Sequence, residues 1–217
     1  MPLLYRPNPL LTRIAPPPIP AAQAWKAGYS GALGPMIDLS QAVPGTPPPQ
    51  EFLDRLGAAA ARADLTRYGS IFGDMDLREA HATETARITD GTITAANVCI
   101  TAGCNEAFMV ALLALAQAGE AVLLPTPWYF NHKMALDMLG IEARVLSCRA
   151  EDSFVPDLAA AAELMLDGRV KALVLVSPNN PTGAVYPPEV IAAFFTLCRK
   201  RRIALVLDET YRDFLEG

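Results

Sequence analysis

An α/β fold of three layers, with a mostly parallel central sheet covered by helices on both faces, is predicted by three observations. Short apolar or β-branched runs recur from residue 97 onward, and each is separated from the next by enough chain for a helix. Two of these runs, "ALVLVS" and "IALVLDE", scarcely alternate between apolar and polar, which suits strands buried on both sides. With 217 residues and 52% hydrophobic content, the chain can bury a core of the required size.

The elements follow in order. Proline- and glycine-rich stretches run from "APPPIP" through "GYSGALGP" to "PGTPPP", so residues 1–50 are expected to form an extended arm, with "MIDLS" at 36–40 alternating like a short strand. "EFLDRLGAAAARAD" then reads as a helix and "TRYGSIFGDM" as a glycine-punctuated loop. "DLREAHATETARI" reads as a second helix behind an aspartate cap. The strand candidates are "NVCIT", "EAVLLP", "EARVLSC", "KALVLVS" and "IALVLDE"; the helices between and after them are "NEAFMVALLALAQAG", "FNHKMALDMLG", "PDLAAAAELMLDG" and "PPEVIAAFFTLCRKRR". The domain expectation is an arm over 1–50 and a larger sheet domain over 51–217.

Composition excludes several function classes. A net charge of -5 and a pI near 5.1 provide no basic patch for nucleic acid or anionic membrane. The apolar run "VALLALAQAGEAVLLP" is interrupted by Gln117 and Glu120, and the start of the chain carries Arg6, Arg13 and repeated prolines, so neither a membrane span nor a signal core is expected. Cys99, Cys104, Cys148 and Cys198 form no CxxC pair, and with His81 and His132 on separate helices no metal set is expected. A reducing, cytoplasmic location fits this cysteine usage. Both histidines read as ordinary surface or core residues. GxGxxG after a strand, GxxxxGK[ST] and GxSxG are all absent.

Ligands of open α/β sheets bind at the carboxyl ends of the strands, and four strand ends carry candidate chemistry. Ala102-Gly103-Cys104-Asn105 opens a helix, where main-chain N–H groups and the dipole attract an anion; read alone it is equally a tight turn. Thr126-Pro127-Trp128-Tyr129 offers an aromatic face, for which core packing is the stronger reading in isolation. "SPNNPTG" brings asparagine side chains and a candidate cis bond at Asn180-Pro181, although "NPTG" also suits a plain turn. Asp208 ends an apolar strand, where a carboxylate needs a cation or hydrogen-bond donors. Together these groups match a ligand with an anionic group, a flat ring, a polar ring substituent and a cationic ring nitrogen. Pyridoxal phosphate has all of them.

"SPNNPTG" followed by "LDETYRDF", with "YGSIFGDMDLREA" and "TAGCNEAF" upstream and "IDLSQAVPGTPPP" before them, resembles the fold-type I aminotransferases of class I/II. The resemblance runs from about Ile37 to the last residue. It implies a pyridoxal-phosphate-dependent transferase that moves an amino group between an amino acid and a 2-oxo acid, a homodimer with shared sites, and a large domain of the corresponding fold with the arm joining a small domain. It further implies that Asp208 binds the pyridine nitrogen, that Asn180 and Tyr211 bind the phenolic oxygen, and that Tyr129 rather than Trp128 stacks on the ring. The resemblance puts Ala102, Gly103 and Cys104 around the phosphate and makes Tyr68 the tyrosine that reaches the phosphate of the neighbouring subunit. Ala42 stands where relatives place a glycine near the substrate carboxylate, with Gly45 close by, and Asn180 also faces substrate. The lysines are Lys26, Lys133, Lys171 and Lys200, all before Asp208. The family's Schiff-base lysine and its carboxylate-binding arginine are therefore expected beyond Gly217, and no catalytic residue of that kind within these residues. A carbon–sulfur or related lyase of the same fold, or a truncated protein that binds the cofactor without turnover, are the alternatives.

Overall fold

In the computed structural model, residues 5–41 and 45–215 are described, and two compact units emerge: Pro17–Thr101, and Met1–Pro16 with Ala102–Gly217. Ala42 lies outside the described residues.

The unit 17–101 carries helices α1 (Ile19–Ala27), α2 (Gln50–Ala60) and α3 (Met75–Thr89). Helix α1 stands where an extended arm is expected. Its prolines fall at the cap and in the first turn, where no intrahelical N–H is lost, and alanine-rich sequence follows. "MIDLS" forms no strand: Asp38 instead accepts from the Ser40 N–H at 3.0 Å and the Ser40 hydroxyl at 2.6 Å, closing a local turn. Asp74 caps α3 by position, without a side-chain cap bond. Arg78 on α3 is buried; its Nε donates to the Val98 carbonyl at 2.9 Å and its Nη2 to that of Ala95 at 2.6 Å. The Val98 bond, together with Ile100 N–H to the Phe72 carbonyl at 2.9 Å, engages the backbone of "NVCIT". That segment accordingly lies outside the sheet, contrary to expectation, because its polar groups are satisfied by a loop and a guanidinium. Gly73, at φ +94, lets Ile100 approach where a Cβ would sit only 2.6 Å from its side chain.

The other unit contains the sheet. Strands β1 (Ala121–Thr126), β2 (Glu142–Ser147), β3 (Val170–Val176) and β4 (Ala204–Asp208) pair in parallel in the order β2-β1-β3-β4. Helices α4 (Cys104–Leu115), α5 (Phe130–Leu139), α6 (Leu158–Leu164) and α7 (Pro188–Arg201) supply the outer layers. Alternate strand residues point to opposite faces. Leu123, Leu173 and Leu175 pack with Ala161 of α6 and Phe194 and Cys198 of α7, while Val122, Leu124 and Val174 pack with Phe108 and Leu112 of α4 and Leu136 of α5. Val122 and Leu123 of β1 and Leu173 and Val174 of β3 are fully buried between the layers, whereas β4 stands at the edge of the described sheet with every residue only half-buried, so "ALVLVS" is the doubly covered strand its pattern predicts and "IALVLDE" is not. Among the described residues, no helix is long and apolar enough to cross a membrane.

Candidate active site

The carboxyl ends of β1, β3 and β4 and the amino end of α4 surround one cavity of about 160 Å³. Its lining includes Ala102, Gly103 and Cys104, Tyr129, Asn180, and Asp208 with Tyr211. Residues far apart in sequence thus converge because parallel strands all present their carboxyl ends to the same edge. Tyr68, also expected in a site, belongs to the other unit, on the loop before α3, and is fully exposed.

Asp208 sits at the last position of β4, in register with Val176 at the end of β3, and its side chain is 8% exposed. Burial works to raise its pKa, but hydrogen bonds outweigh that and hold the carboxyl well below the usual carboxylate range. The donors are His132 Nε2 at 3.2 Å, the Thr210 hydroxyl at 2.6 Å and the Thr210 N–H at 3.0 Å. A negative charge is therefore fixed at the cavity wall across the neutral pH range. The Cys104 thiol donates to Asp208 Oδ2 at 3.6 Å, and its Sγ lies 3.3 Å from Thr210 Oγ1, whose proton goes to Asp208. Burial pushes this thiol up, and the neighbouring carboxylate adds to the effect, so the sulfur is held as a neutral thiol.

His132 is the residue that sequence reasoning missed. On α5 it is 1% exposed, its ring is stacked on Phe108 with centroids 4.0 Å apart, and it meets Tyr129 edge-on at 5.2 Å. The expectation of a plain surface or core histidine is correct only for burial. Its acidic partner stands at the end of β4, and no local spacing could show it. Its Nδ1 has no hydrogen-bond partner among the described residues. Thr210, two residues after Asp208, is the other omission; an acidic residue followed two positions on by a hydroxyl was the available signal.

Tyr129 caps α5 and receives a hydrogen bond on its hydroxyl from Asn131 Nδ2 at 2.7 Å, which orients the ring. Trp128 instead packs against the apolar face shared by α4 and α5. The Asn180-Pro181 bond is cis, as the sequence suggests, and so are Thr126-Pro127 and Ser177-Pro178. At the start of α4, Gly103 adopts φ +92 and ψ 167, a conformation open essentially to glycine alone, with nothing within 4 Å of where a Cβ would project. The N–H groups of Cys104 and Asn105 belong to the first turn, which lacks intrahelical acceptors, and the helix dipole adds positive potential there. The Ala102 N–H is taken by the Glu106 carboxylate, so this residue contributes its position rather than its donor.

The cavity therefore offers a small-residue cradle with a positive helix end, an aromatic ring, a carboxamide, a phenol and a buried carboxylate held in its charged form. That set can bind a planar anion-bearing ring with a protonatable nitrogen. A family profile described as "Aminotransferase class I and II" matches residues 34–217. A valine–pyruvate aminotransferase of Mycobacterium tuberculosis is 31% identical over 205 residues, covering 94% of this chain and 52% of that protein. An aspartate/prephenate aminotransferase of Thermus thermophilus is 33% identical over 150 residues, covering 69% of this chain and 39% of that protein. Among solved structures, the aspartate aminotransferase of Thermus thermophilus with maleate superposes with a TM-score of 0.88 at 27% identity, covering 99% of this chain and 56% of the other. The chain spans about half the length of these relatives.

Proposed function

The chain belongs to the class I and II aminotransferases, and from that premise we propose that the protein moves an amino group between an amino acid and a 2-oxo acid with pyridoxal phosphate held in this cavity. The observation that carries the reading is Asp208: a nearly buried carboxylate kept ionised by His132 and Thr210, facing a cavity with no cation among its lining residues. A carboxylate so placed suits a ring nitrogen that must stay protonated. The residues around it fit the rest of the cofactor: the open, positive-φ turn at Gly103 admits a phosphate to the start of α4, and Tyr129 supplies a ring face.

When bound, pyridoxal phosphate supplies an electron sink for the pair released as the substrate Cα–H bond breaks. The chain's own residues bind and orient. Asp208 holds the proton at the ring nitrogen, which strengthens that sink. Asn180 and Tyr211 hydrogen-bond the phenolic oxygen, and Gly103 and Cys104 meet the phosphate through their main chain, with Ala102 completing the turn. Tyr129 stacks on the ring and excludes water from one face. In a homodimer Tyr68 serves the phosphate in the neighbouring subunit, while Asn180 approaches the substrate carboxylate. The lysine that attaches the cofactor and shuttles the proton, and the arginine for the substrate carboxylate, we assign to the part of the relatives' length that this chain does not span. Residues 1–50 we read as a contribution to the small domain. A cytoplasmic setting is supported by the four cysteines, all of them free.

The test is made on the intact natural protein. Pyridoxal phosphate added to it should give a bound absorption band in the near ultraviolet or visible. Amino groups should then pass from a donor such as valine or aspartate to a 2-oxo acid, and an Asp208→Ala variant should lose transfer by at least about a hundredfold, as loss of a preorganised charge implies. A wild-type protein that binds no pyridoxal phosphate overturns the assignment.

A further inference from the structure

The asparagine doublet divides into one residue that faces the cavity and one that does not. Asn180 lines the cavity, whereas Asn179 is 6% exposed and is not among the lining residues. Asn179 is nevertheless bonded on every side. Its N–H donates to the Ala184 carbonyl at 2.8 Å, and its carbonyl accepts from the Gly183 N–H at 2.8 Å. Its Oδ1 accepts from the Thr182 hydroxyl at 2.8 Å and the Thr182 N–H at 3.2 Å, and its side chain hydrogen-bonds the buried Tyr186 hydroxyl. Ser177 Oγ, at the start of the same loop, accepts from the Tyr186 N–H at 2.9 Å, and the Ser177 N–H donates to the Asp208 carbonyl at 3.0 Å. The loop is thus closed upon Asn179 and tied to the strand end that bears Asp208.

We propose that Asn179 is a positioning residue: with its side chain held by Thr182 and Tyr186, its N–H by Ala184 and its carbonyl by the Gly183 N–H, it fixes the peptide that joins it to Asn180 and so sets the direction in which the Asn180 carboxamide enters the cavity. A nearly buried amide whose bonds run to its own loop, and which does not line the cavity, acts on a bound molecule through Asn180. Tyr186 is the anchor of the clamp. Its ring is packed in the α6–α7 face of the core, and burial pushes its hydroxyl up, so it remains a neutral phenol able to accept from Asn179. The inference rests on the reading of the cavity as a pyridoxal phosphate site, with Asn180 at the phenolic oxygen.

A double-mutant cycle on the intact protein decides the matter. Affinity for pyridoxal phosphate and the pH at which the bound chromophore changes colour are measured for wild type, Asn179→Ala, Asn180→Ala and the double variant. Asn179→Ala should weaken binding about tenfold, in line with losing one well-placed hydrogen bond to an anionic oxygen, and should move the colour transition in the same direction as Asn180→Ala. The double variant should be no worse than Asn180→Ala, because Asn179 acts only through its neighbour. Asn179→Asp, which retains an acceptor for Thr182, should recover most of the affinity. If Asn179→Ala does not fold, Thr182→Val loosens the same clamp from the other side and should weaken binding in the same direction. Additive losses in the double variant, or a colour transition unmoved by loosening the clamp while Asn180→Ala moves it, overturn the positioning role. A wild-type protein that does not bind pyridoxal phosphate overturns the cofactor reading, a result distinguishable from either of those.

Discussion

Replacing His132 by phenylalanine asks whether Asp208 owes its charge to the ring behind it. Phenylalanine keeps the size of the ring and the stack on Phe108, and removes both nitrogens. Two effects of opposite sign follow. Loss of the 3.2 Å hydrogen bond to an ionised carboxylate costs about 1.5–3 kcal/mol, whereas removing Nδ1, buried with no partner among the described residues, relieves about 1–3 kcal/mol. Stability near neutral pH should therefore change by less than about 2 kcal/mol. The carboxyl itself has no such compensation: one donor of its set is gone, and a loss of about 1.5 kcal/mol makes it roughly tenfold easier to protonate. Because the folded pKa is depressed, Asp208 stabilises the fold above the unfolded carboxylate range and loses that contribution as pH falls through the folded value. The variant should have less to lose, and should finish losing it at a higher pH than the wild type. Urea unfolding of the intact protein, repeated from neutral pH down through the carboxylate range, measures both quantities. Coincident acid limbs for the two proteins would refute the reasoning, as would a loss at neutral pH above about 3 kcal/mol, the full value of the bond without relief.

Gly103→Ala should cost about 1–3 kcal/mol through the backbone alone, since φ +92 with ψ 167 disfavours any Cβ although no atom lies within 4 Å of it; an unchanged unfolding free energy would show that the turn relaxes freely. Thiol titration with an aromatic disulfide should modify the exposed Cys99 in the native protein. Cys198, 1% exposed and pushed up to about 11 by burial, should react only after denaturant is added, and a native-state reaction at Cys198 would contradict its place in the α7 face of the core.

Pattern in the chain was sufficient for the sheet. "EAVLLP", "EARVLSC", "KALVLVS" and "IALVLDE" each contain a strand; for the central pair, "EAVLLP" and "KALVLVS", a run of apolar residues without alternation has few ways to be buried other than between two helical layers, while the other two form the half-buried edges. The strand ends identified the cavity for the same reason: Ala102 to Cys104, Tyr129, Asn180, Asp208 and Tyr211 each stand at the exit of an element whose direction is shared. "NVCIT" and "MIDLS" misled, since their backbone groups found partners in Arg78, Phe72 and the Asp38 side chain rather than in a neighbouring strand. The helix at Ile19–Ala27 was hidden by prolines that act as a start signal there and as a breaker elsewhere.

Periodicity and turn chemistry are local quantities, and they determine what each segment becomes and which residues stand at its ends. The pairing of His132 with Asp208, the stack of that histidine on Phe108, and the commitment of Asn179 to Thr182 and Tyr186 were decided only by the folded chain. Two of these contacts join elements distant in sequence and the third depends on how a loop closes on itself. Their strength comes from burial and a few tenths of an ångström of hydrogen-bond geometry, neither of which exists until the layers have packed.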